Sequence, residues 1–299
     1  MSTLKGLVSL LLLITGTVFW SAPLYALALV KLVTPSRRLR RRVLAGLNRI
    51  ALAWIGTNLW WMRRWLRPSL EVHLPEGLSP DQWWLVIANH RSWTDIFLLQ
   101  MALHRRIPMP RFFLKRELIW VPVIGLAWWA LEFPFMRRYS RDAIARNPAL
   151  ARRDREATRR LCERARQMPM AIYNFVEGTR FTPHKQRAQQ SPYAHLLRPR
   201  AGGCAQVVNL LGNRLSGILD VTLAYARENP TFWDFLCGRE GPVRVDVRRC
   251  SLPDWMRQGD YHQDPEYKER FQRWLNALWQ EKDRRLEQLA RPACVTSAS

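Results

Sequence analysis

Between Gly6 and Val30 the chain runs for 25 residues without a charge, GLVSLLLLITGTVFWSAPLYALALV. As a helix this run extends about 37 Å, enough to cross or penetrate a hydrocarbon core of about 30 Å. Pro23 falls where it would kink such a helix, so a full span and a hairpin within one leaflet both stay open. A cleaved secretory leader is the competing reading, because Lys5 precedes the run and Ala26-Leu27-Ala28 resembles a cleavage site. The length of the run favours an anchor. The next stretch, Val43 to Leu66, is apolar but carries Arg49, Arg63 and Arg64 with Trp54, Trp60, Trp61 and Trp65. That mixture suits the bilayer interface, and its alternative is an ordinary buried helix.

Beyond about residue 67 short β-rich runs alternate with helical ones. Strands are expected at Trp84–Ala88, Arg111–Leu114, Phe133–Arg137, Met170–Val176, Ile218–Tyr225 and Val243–Arg249. Helices are expected at Ser92–His104, Val123–Ala130, Pro148–Gln167, Cys204–Leu211 and Pro265–Leu289. The alternation predicts an α/β fold, with a largely parallel or mixed sheet flanked by helices in a single domain over 67–299. Residues 1–66 then form an N-terminal helical membrane anchor.

Charge sharpens this picture. Lys and Arg number 47 against 24 Asp and Glu, a net +23, which predicts attraction to phosphate-bearing partners. The first 70 residues hold eleven Lys or Arg and no acid, and Ser36–Arg42 (SRRLRRR) alone supplies five arginines. By the positive-inside rule that belt stays cytoplasmic, and so does the domain behind it. A membrane-tethered nucleic-acid binder is the rival class. No nucleic-acid module accompanies the charge, much of which flanks the apolar run. Five cysteines without a C-x-x-C pair suggest a reducing compartment and neither a disulfide framework nor a metal site.

Two short runs carry candidate chemistry. Asn89-His90-Arg91-Ser92-Trp93-Thr94-Asp95 follows the apolar run WWLVIA and opens a helix, with Ser92 or Thr94 placed to cap it. One turn separates Asp95 from His90, close enough for the carboxylate to hold one ring nitrogen and leave the other as a base. The bland alternative is a hydrogen-bonded strand-end His, with Asp95 satisfying amides of the first helical turn. Backbone amides after His90 are candidate oxyanion donors. The second run, Glu177-Gly178-Thr179-Arg180, follows MAIYNFV. Gly allows a tight turn, and Arg binds phosphate bidentately. Its bland alternative is a surface turn with a Glu–Arg pair.

Together these runs resemble the glycerolipid acyltransferase superfamily that includes the lysophosphatidic acid acyltransferases. NHRSWTD matches its His-x4-Asp block, and FVEGTR its Glu-Gly-Thr-Arg block, with Val176 where many members have Pro. Lys115, Leu118, Pro122 and Gly125 followed by FPFMRR resemble the second block, with Glu132 in place of a usual Gly and Arg137 in place of a usual Asp. That block places its arginine at Arg138, adjacent to Arg137. Leu196-Leu197-Arg198-Pro199-Arg200 resembles the fourth block. The string from EGTRFTPHKQ to DVTLAY is similar to the branch with lysocardiolipin acyltransferases.

The resemblance implies transfer of a fatty acyl group from acyl-CoA or acyl-acyl carrier protein to the free hydroxyl of a lysophospholipid. The first acceptor to expect is lysophosphatidic acid, with lysophosphatidylglycerol and lysocardiolipin as alternatives. It implies His90 as general base oriented by Asp95, with no covalent enzyme intermediate, no metal and no cofactor beyond the thioester co-substrate. No G-x-S-x-G elbow is present, in keeping with this. The resemblance further implies substrate binding by Arg138, Arg180 and Lys115, with Glu177, Gly178, Thr179 and Pro199 shaping the pocket. The bilayer supplies the lipid, and no nucleic acid is a partner.

Overall fold

The computed structural model of the chain describes residues 2–136, 146, 156, 158–163, 165–166, 168–261 and 263–290. Its main sheet contains β1 (Leu70–His73), β2 (Trp84–Ala88), β3 (Pro110–Phe112), β6 (Ala171–Phe175), β7 (Gly217–Tyr225) and β8 (Val243–Cys250). The spatial order is β1-β8-β7-β2-β6-β3. Neighbours run parallel except β7 and β8, which pair antiparallel from Ile218↔Cys250 to Tyr225↔Val243. The mixed α/β sheet expected from the sequence is therefore present. A second, two-stranded ladder pairs β4 (Leu114–Lys115) with β5 (Phe135–Met136).

Burial on both faces explains why β2 reads as an uninterrupted apolar run. Trp84, Val86 and Ala88 enter one core while Leu85 and Ile87 enter the other. The first core is covered by α1 (Ser2–Val33), α2 (Arg37–Trp61), α3 (Thr94–Leu103) and α4 (Ile124–Ala130). A short α5 (Pro183–Ala188) follows the Glu177–Arg180 turn. The second core is covered by α6 (Gly202–Leu211) and, beyond a short α7 (Phe232–Leu236), by α8 (Asp254–Gln258) and α9 (Pro265–Ala290). The helix expected at 148–167 lies mostly outside the described residues, although 158–163 are helical.

The N-terminal helices are packed onto the domain. At 32 residues α1 is long and apolar enough to cross a membrane, and Pro23 lies within it without ending it. It is nevertheless tied laterally along its length. Lys5 Nζ donates to the Leu66 carbonyl at 3.4 Å, and Trp65 Nε1 to Ser9 Oγ at 3.1 Å. Gly6 approaches α7 so closely that a Cβ would lie 2.6 Å from Cys237 Sγ. Farther on, the Tyr25 hydroxyl donates to the Val123 carbonyl, and Lys31 pairs with Glu132 at 2.8 Å. Leu4, Leu7, Leu11, Val18, Phe19 and Leu29 remain exposed on the free side. Ser36 caps α2 by accepting from the Leu39 amide, and α2 ends in a π turn, Met62–Leu66, closed by Arg67 in the left-handed region.

On the opposite face a buried charge cluster fastens α9 to β7. Lys282 Nζ lies 2.6 Å from Asp220 Oδ1 and donates to the Val221 carbonyl at 2.6 Å, while Arg248 meets the other Asp220 oxygen at 2.9 Å. Burial pushes the Lys282 ammonium down, and Asp220 opposes that shift.

Candidate active site

His90 stands at the C-terminal end of β2, the edge where α/β sheets with parallel strands place their ligands. Its loop is fixed first by Asn89, whose side chain donates to the Leu223 carbonyl at 2.9 Å and accepts from the Leu223 amide at 2.8 Å. These bonds extend the β2–β7 ladder through a side chain, so the next residue leaves the sheet in a defined direction.

Asp95, wholly buried in the first turn of α3, receives the ring: His90 Nδ1 lies 2.7 Å from Asp95 Oδ2. The same oxygen accepts the amides of Arg91 at 2.7 Å and Ser92 at 3.0 Å, and the Tyr225 hydroxyl donates to Oδ1. Every other contact of this carboxylate is a donor, so Nδ1 carries the proton and Nε2 keeps its lone pair. One oxygen serves ring and amides together, so the contacts of both sequence-based readings of Asp95 are present. Of the two expected caps, Ser92 serves: its hydroxyl oxygen accepts the Thr94 amide at 3.3 Å, while the Ser92 and Thr94 hydroxyls bond each other at 3.1 Å. The amides of Arg91, Ser92, Thr94 and Asp95 are thereby engaged inside the turn and are not free as oxyanion donors.

The ring of His90 stacks on Phe175 with centroids 4.1 Å apart and planes inclined by 19°, leaving its side chain 16% exposed. Phe175 in turn faces Phe112, 6.2 Å away. Phe112 lines an apolar cavity of about 440 Å³ between α1, α2, α3 and α4, walled also by Leu13, Trp54, Trp93 and Phe232.

The Glu177–Arg180 turn is carried to this site by backbone bonding. The Phe181 amide donates to the His90 carbonyl at 2.7 Å, and the Arg91 guanidinium lies over the Phe181 ring at 4.6 Å. Arg180 lies over the Trp93 ring at 5.3 Å with its guanidinium exposed. Gly178 takes φ +71° in the turn, a conformation that favours glycine. Thr179 Oγ1 accepts from Lys185 Nζ at 2.8 Å, so α5 adds a cation that sequence reasoning missed. Glu177 lies beneath the turn, 0% exposed and without a well-formed hydrogen bond. Burial pushes its carboxyl well above the usual range; the nearby Leu197 and His90 amides oppose this and Asp95 adds to it. It supports the turn from behind and has no contact with open space.

Lys115 is exposed on β4, paired in register with Met136, while Arg137 and Arg138 lie outside the described residues. Pro199 is buried beside a different cavity of about 680 Å³ lined by Arg198, Arg200 and Tyr261. The Arg200 side chain passes 3.8 Å from where a Cβ on Gly178 would stand, so the rim of this cavity adjoins the turn. Among the described residues no cluster of three His, Cys, Asp or Glu side chains is arranged to hold a metal ion.

The acyltransferase family profile matches residues 69–226, the segment that contains His90, Asp95, the Glu177–Arg180 turn, Lys115, Pro199 and Tyr225. The chain belongs to the acyltransferase family. It is 31% identical over 214 residues to the 1-acyl-sn-glycerol-3-phosphate acyltransferase gamma of Mus musculus, covering 67% of this chain and 51% of that protein. It is also 31% identical over 213 residues to the delta protein of Homo sapiens, with the same coverage. The chain thus spans about half the length of the curated relatives it matches. The crystal structure of the 1-acyl-sn-glycerophosphate acyltransferase PlsC from Thermotoga maritima shares the fold. It aligns with a TM-score of 0.53 and 17% identity over 98% of this chain and all of that one.

This member of the family departs at Glu132 from the pattern expected of it, and the structure shows how the residue is accommodated. Glu132 has φ +63°, the conformation for which glycine is suited and which costs another residue on the order of 1–2 kcal/mol. Its carboxylate is matched by Lys31 of α1, whose ammonium also donates to the Ala130 carbonyl at 2.9 Å. Helix α1 thus supplies a partner to the strained residue. Gly125, by contrast, must remain glycine, because a Cβ would lie 2.2 Å from the Ile119 carbonyl oxygen.

Proposed function

We propose that this chain transfers a fatty acyl group from a thioester, acyl-CoA or acyl-acyl carrier protein, to the free hydroxyl of lysophosphatidic acid. The observation that carries this reading is a His90–Asp95 pair whose stacked aromatic neighbours lead into an apolar cavity, with an exposed guanidinium held beside it. The names of the relatives support this acceptor.

In this reading the acyl chain lies in the cavity between α1 and α4, which brings its thioester carbonyl to His90. Nε2 takes the acceptor hydroxyl's proton as that oxygen bonds to the carbonyl carbon. The tetrahedral adduct collapses with loss of the carbon–sulfur bond, and the leaving thiolate takes the proton back from the imidazolium. Asp95 holds the tautomer and offsets the transient positive charge; a positioned base of this kind contributes about 10² to 10⁴ in rate. Arg180, with Lys185 behind it and Lys115 and Arg138 from the second block, binds the acceptor's phosphate.

The lateral ties of α1 support an interfacial placement. Contacts from Lys5 to Lys31 keep that helix beside α4 and α7, so it lies along the bilayer interface with its free apolar side in lipid. The basic belt at Arg38–Arg42 keeps the domain on the cytoplasmic face.

His90→Ala in the full-length chain should abolish thiol release from acyl thioester plus lysophosphatidic acid while leaving membrane binding intact. Near-normal turnover would remove His90 from the base role. Arg180→Ala should chiefly raise KM for the acceptor, and an unchanged KM would place the phosphate elsewhere. Lipid mass spectrometry with lysophosphatidic acid, lysophosphatidylglycerol and lysocardiolipin decides among acceptors, and a preference for either of the latter two would overturn the assigned one.

A further inference from the structure

Successive faces of α2 line two different cavities. Ala51, Trp54, Ile55 and Asn58 face the internal apolar cavity already described. Ala53, Gly56, Thr57 and Trp60, at helical spacing on another face, floor an outer groove of about 640 Å³ that contains neither His90 nor any residue of the Glu177–Arg180 turn. The groove lies at the far end of α3, about 15 Å along that helix from Asp95.

Its walls change character from one side to the other. On the membrane side stand Trp20 of α1 and Trp60, the latter 67% exposed, and Trp20 adjoins the exposed Phe19 of the apolar face. The Trp20 indole N–H has no acceptor among the described residues. On the other side the rim carries Arg63, Arg64, His104 and Arg105. Arg63 is engaged, donating to the Met101 carbonyl at 3.0 Å. Neither the Arg64 nor the Arg105 guanidinium has an ion pair or hydrogen bond among the described residues, and no acid lines the groove or precedes Glu71 in the chain. Burial, reinforced by Arg105 and Arg63, pushes the His104 imidazole down, leaving it neutral near pH 7.

We infer that this groove binds one anionic phospholipid of the surrounding bilayer, its acyl region along Trp20, Trp60 and the small-residue floor and its phosphodiester between Arg64 and Arg105. A floor of Ala, Gly and Thr leaves room for a chain. Two unpaired cations at the end of an apolar trough match an amphiphile with a charged head. A zwitterionic lipid would bring its own cation to the same rim and gain less. The site does not depend on acyl transfer at His90; it rests on the interfacial placement proposed above.

Native mass spectrometry of the full chain in detergent tests it, with dioleoylphosphatidylglycerol and dioleoylphosphatidylcholine at equal concentrations. The first phosphatidylglycerol adduct should exceed the phosphatidylcholine adduct severalfold. Arg64→Gln/Arg105→Gln should reduce it by roughly twenty-fold, about fivefold per charge. The charge-neutral Thr57→Trp, which fills the groove at an exposed position, should reduce it as well. Arg40→Gln/Arg41→Gln, an equal change of charge outside the groove, should leave it within about twofold. Equal adducts with both lipids, or equal losses in the two arginine pairs, would overturn the site. Flotation of the wild-type chain with phosphatidylcholine vesicles tests the interfacial placement separately: flotation with unselective adducts removes the groove alone, and failure to float removes both.

Discussion

The Tyr225 hydroxyl donates to Asp95 Oδ1 and so leaves Oδ2 to His90 and two backbone amides. A carboxylate bonded on one oxygen only can rotate about its χ2; bonded on both, it holds the imidazole in one orientation. Tyr225→Phe removes a single donor from a buried charge, an interaction worth about 1.5–3 kcal/mol. The expected result is a fall in kcat of about tenfold or more with KM for the acceptor unchanged, measured by steady-state thiol release. An unaltered kcat would make the hydroxyl a packing detail.

Glu240 offers a test in pH. It is buried, has no hydrogen-bond partner among the described residues, and is pushed up to about 7 by burial, with Asp95 and Asp234 adding to the shift. The folded chain therefore binds this proton more tightly than the unfolded chain does. Its stability falls as pH rises from about 4.5 to 7 and levels off above. Glu240→Gln should be stabilising at pH 8, by up to about 3 kcal/mol, and close to neutral at pH 4.5. Denaturant midpoints at the two pH values provide the comparison, and a pH-independent difference would be the contrary result.

The Lys31–Glu132 pair joins α1 to the strained end of the second block. Lys31→Ala removes one partner of a Glu132 held in the left-handed conformation and should destabilise the fold by up to about 3 kcal/mol. Adding Glu132→Gly should recover much of that loss, because glycine takes φ +63° freely. A double variant no more stable than Lys31→Ala alone would contradict this account of the substitution.

Chain-length selectivity should follow the internal cavity. Ala127→Phe on α4 places an aromatic ring on the cavity wall, at a residue that is fully buried. The expected outcome is a shift toward shorter acyl thioesters, read as kcat/KM across a series of chain lengths. A uniform loss at every length would point to misfolding, which the thermal midpoint detects.

How far these features could be read from sequence depended on the range of the interactions involved. Strand β2 was readable to the residue, because a run buried on both faces has no polar interruption. Strand β1, Leu70–His73, was missed, since its alternate side chains are exposed and it lies at the sheet edge. The run Arg111–Leu114 is not one strand: the chain leaves the main sheet after Phe112 and enters the small ladder at Leu114. The antiparallel pairing of β7 with β8 had no hairpin signal, because 17 residues including α7 separate them. In the site, His90 and Asp95 lie five residues apart and were legible. Tyr225 lies 130 residues from the carboxylate it bonds, and only the register of β7 brings it there. The roles of Asn89 and Phe175 were likewise invisible, one acting through a backbone 134 residues away and the other by stacking.

The lateral fastening of α1 and α2 has a mechanical consequence. Leu24, Leu47, Leu59 and Met62 share one apolar core with Trp84 and Leu98, and the same two helices form a wall of the internal cavity. In the interfacial placement proposed above, pressure exerted by lipid on that wall would reach the chamber directly. The stiffness and thickness of the host bilayer would then act on the bore of the chamber, making the surrounding lipid a mechanical part of the protein.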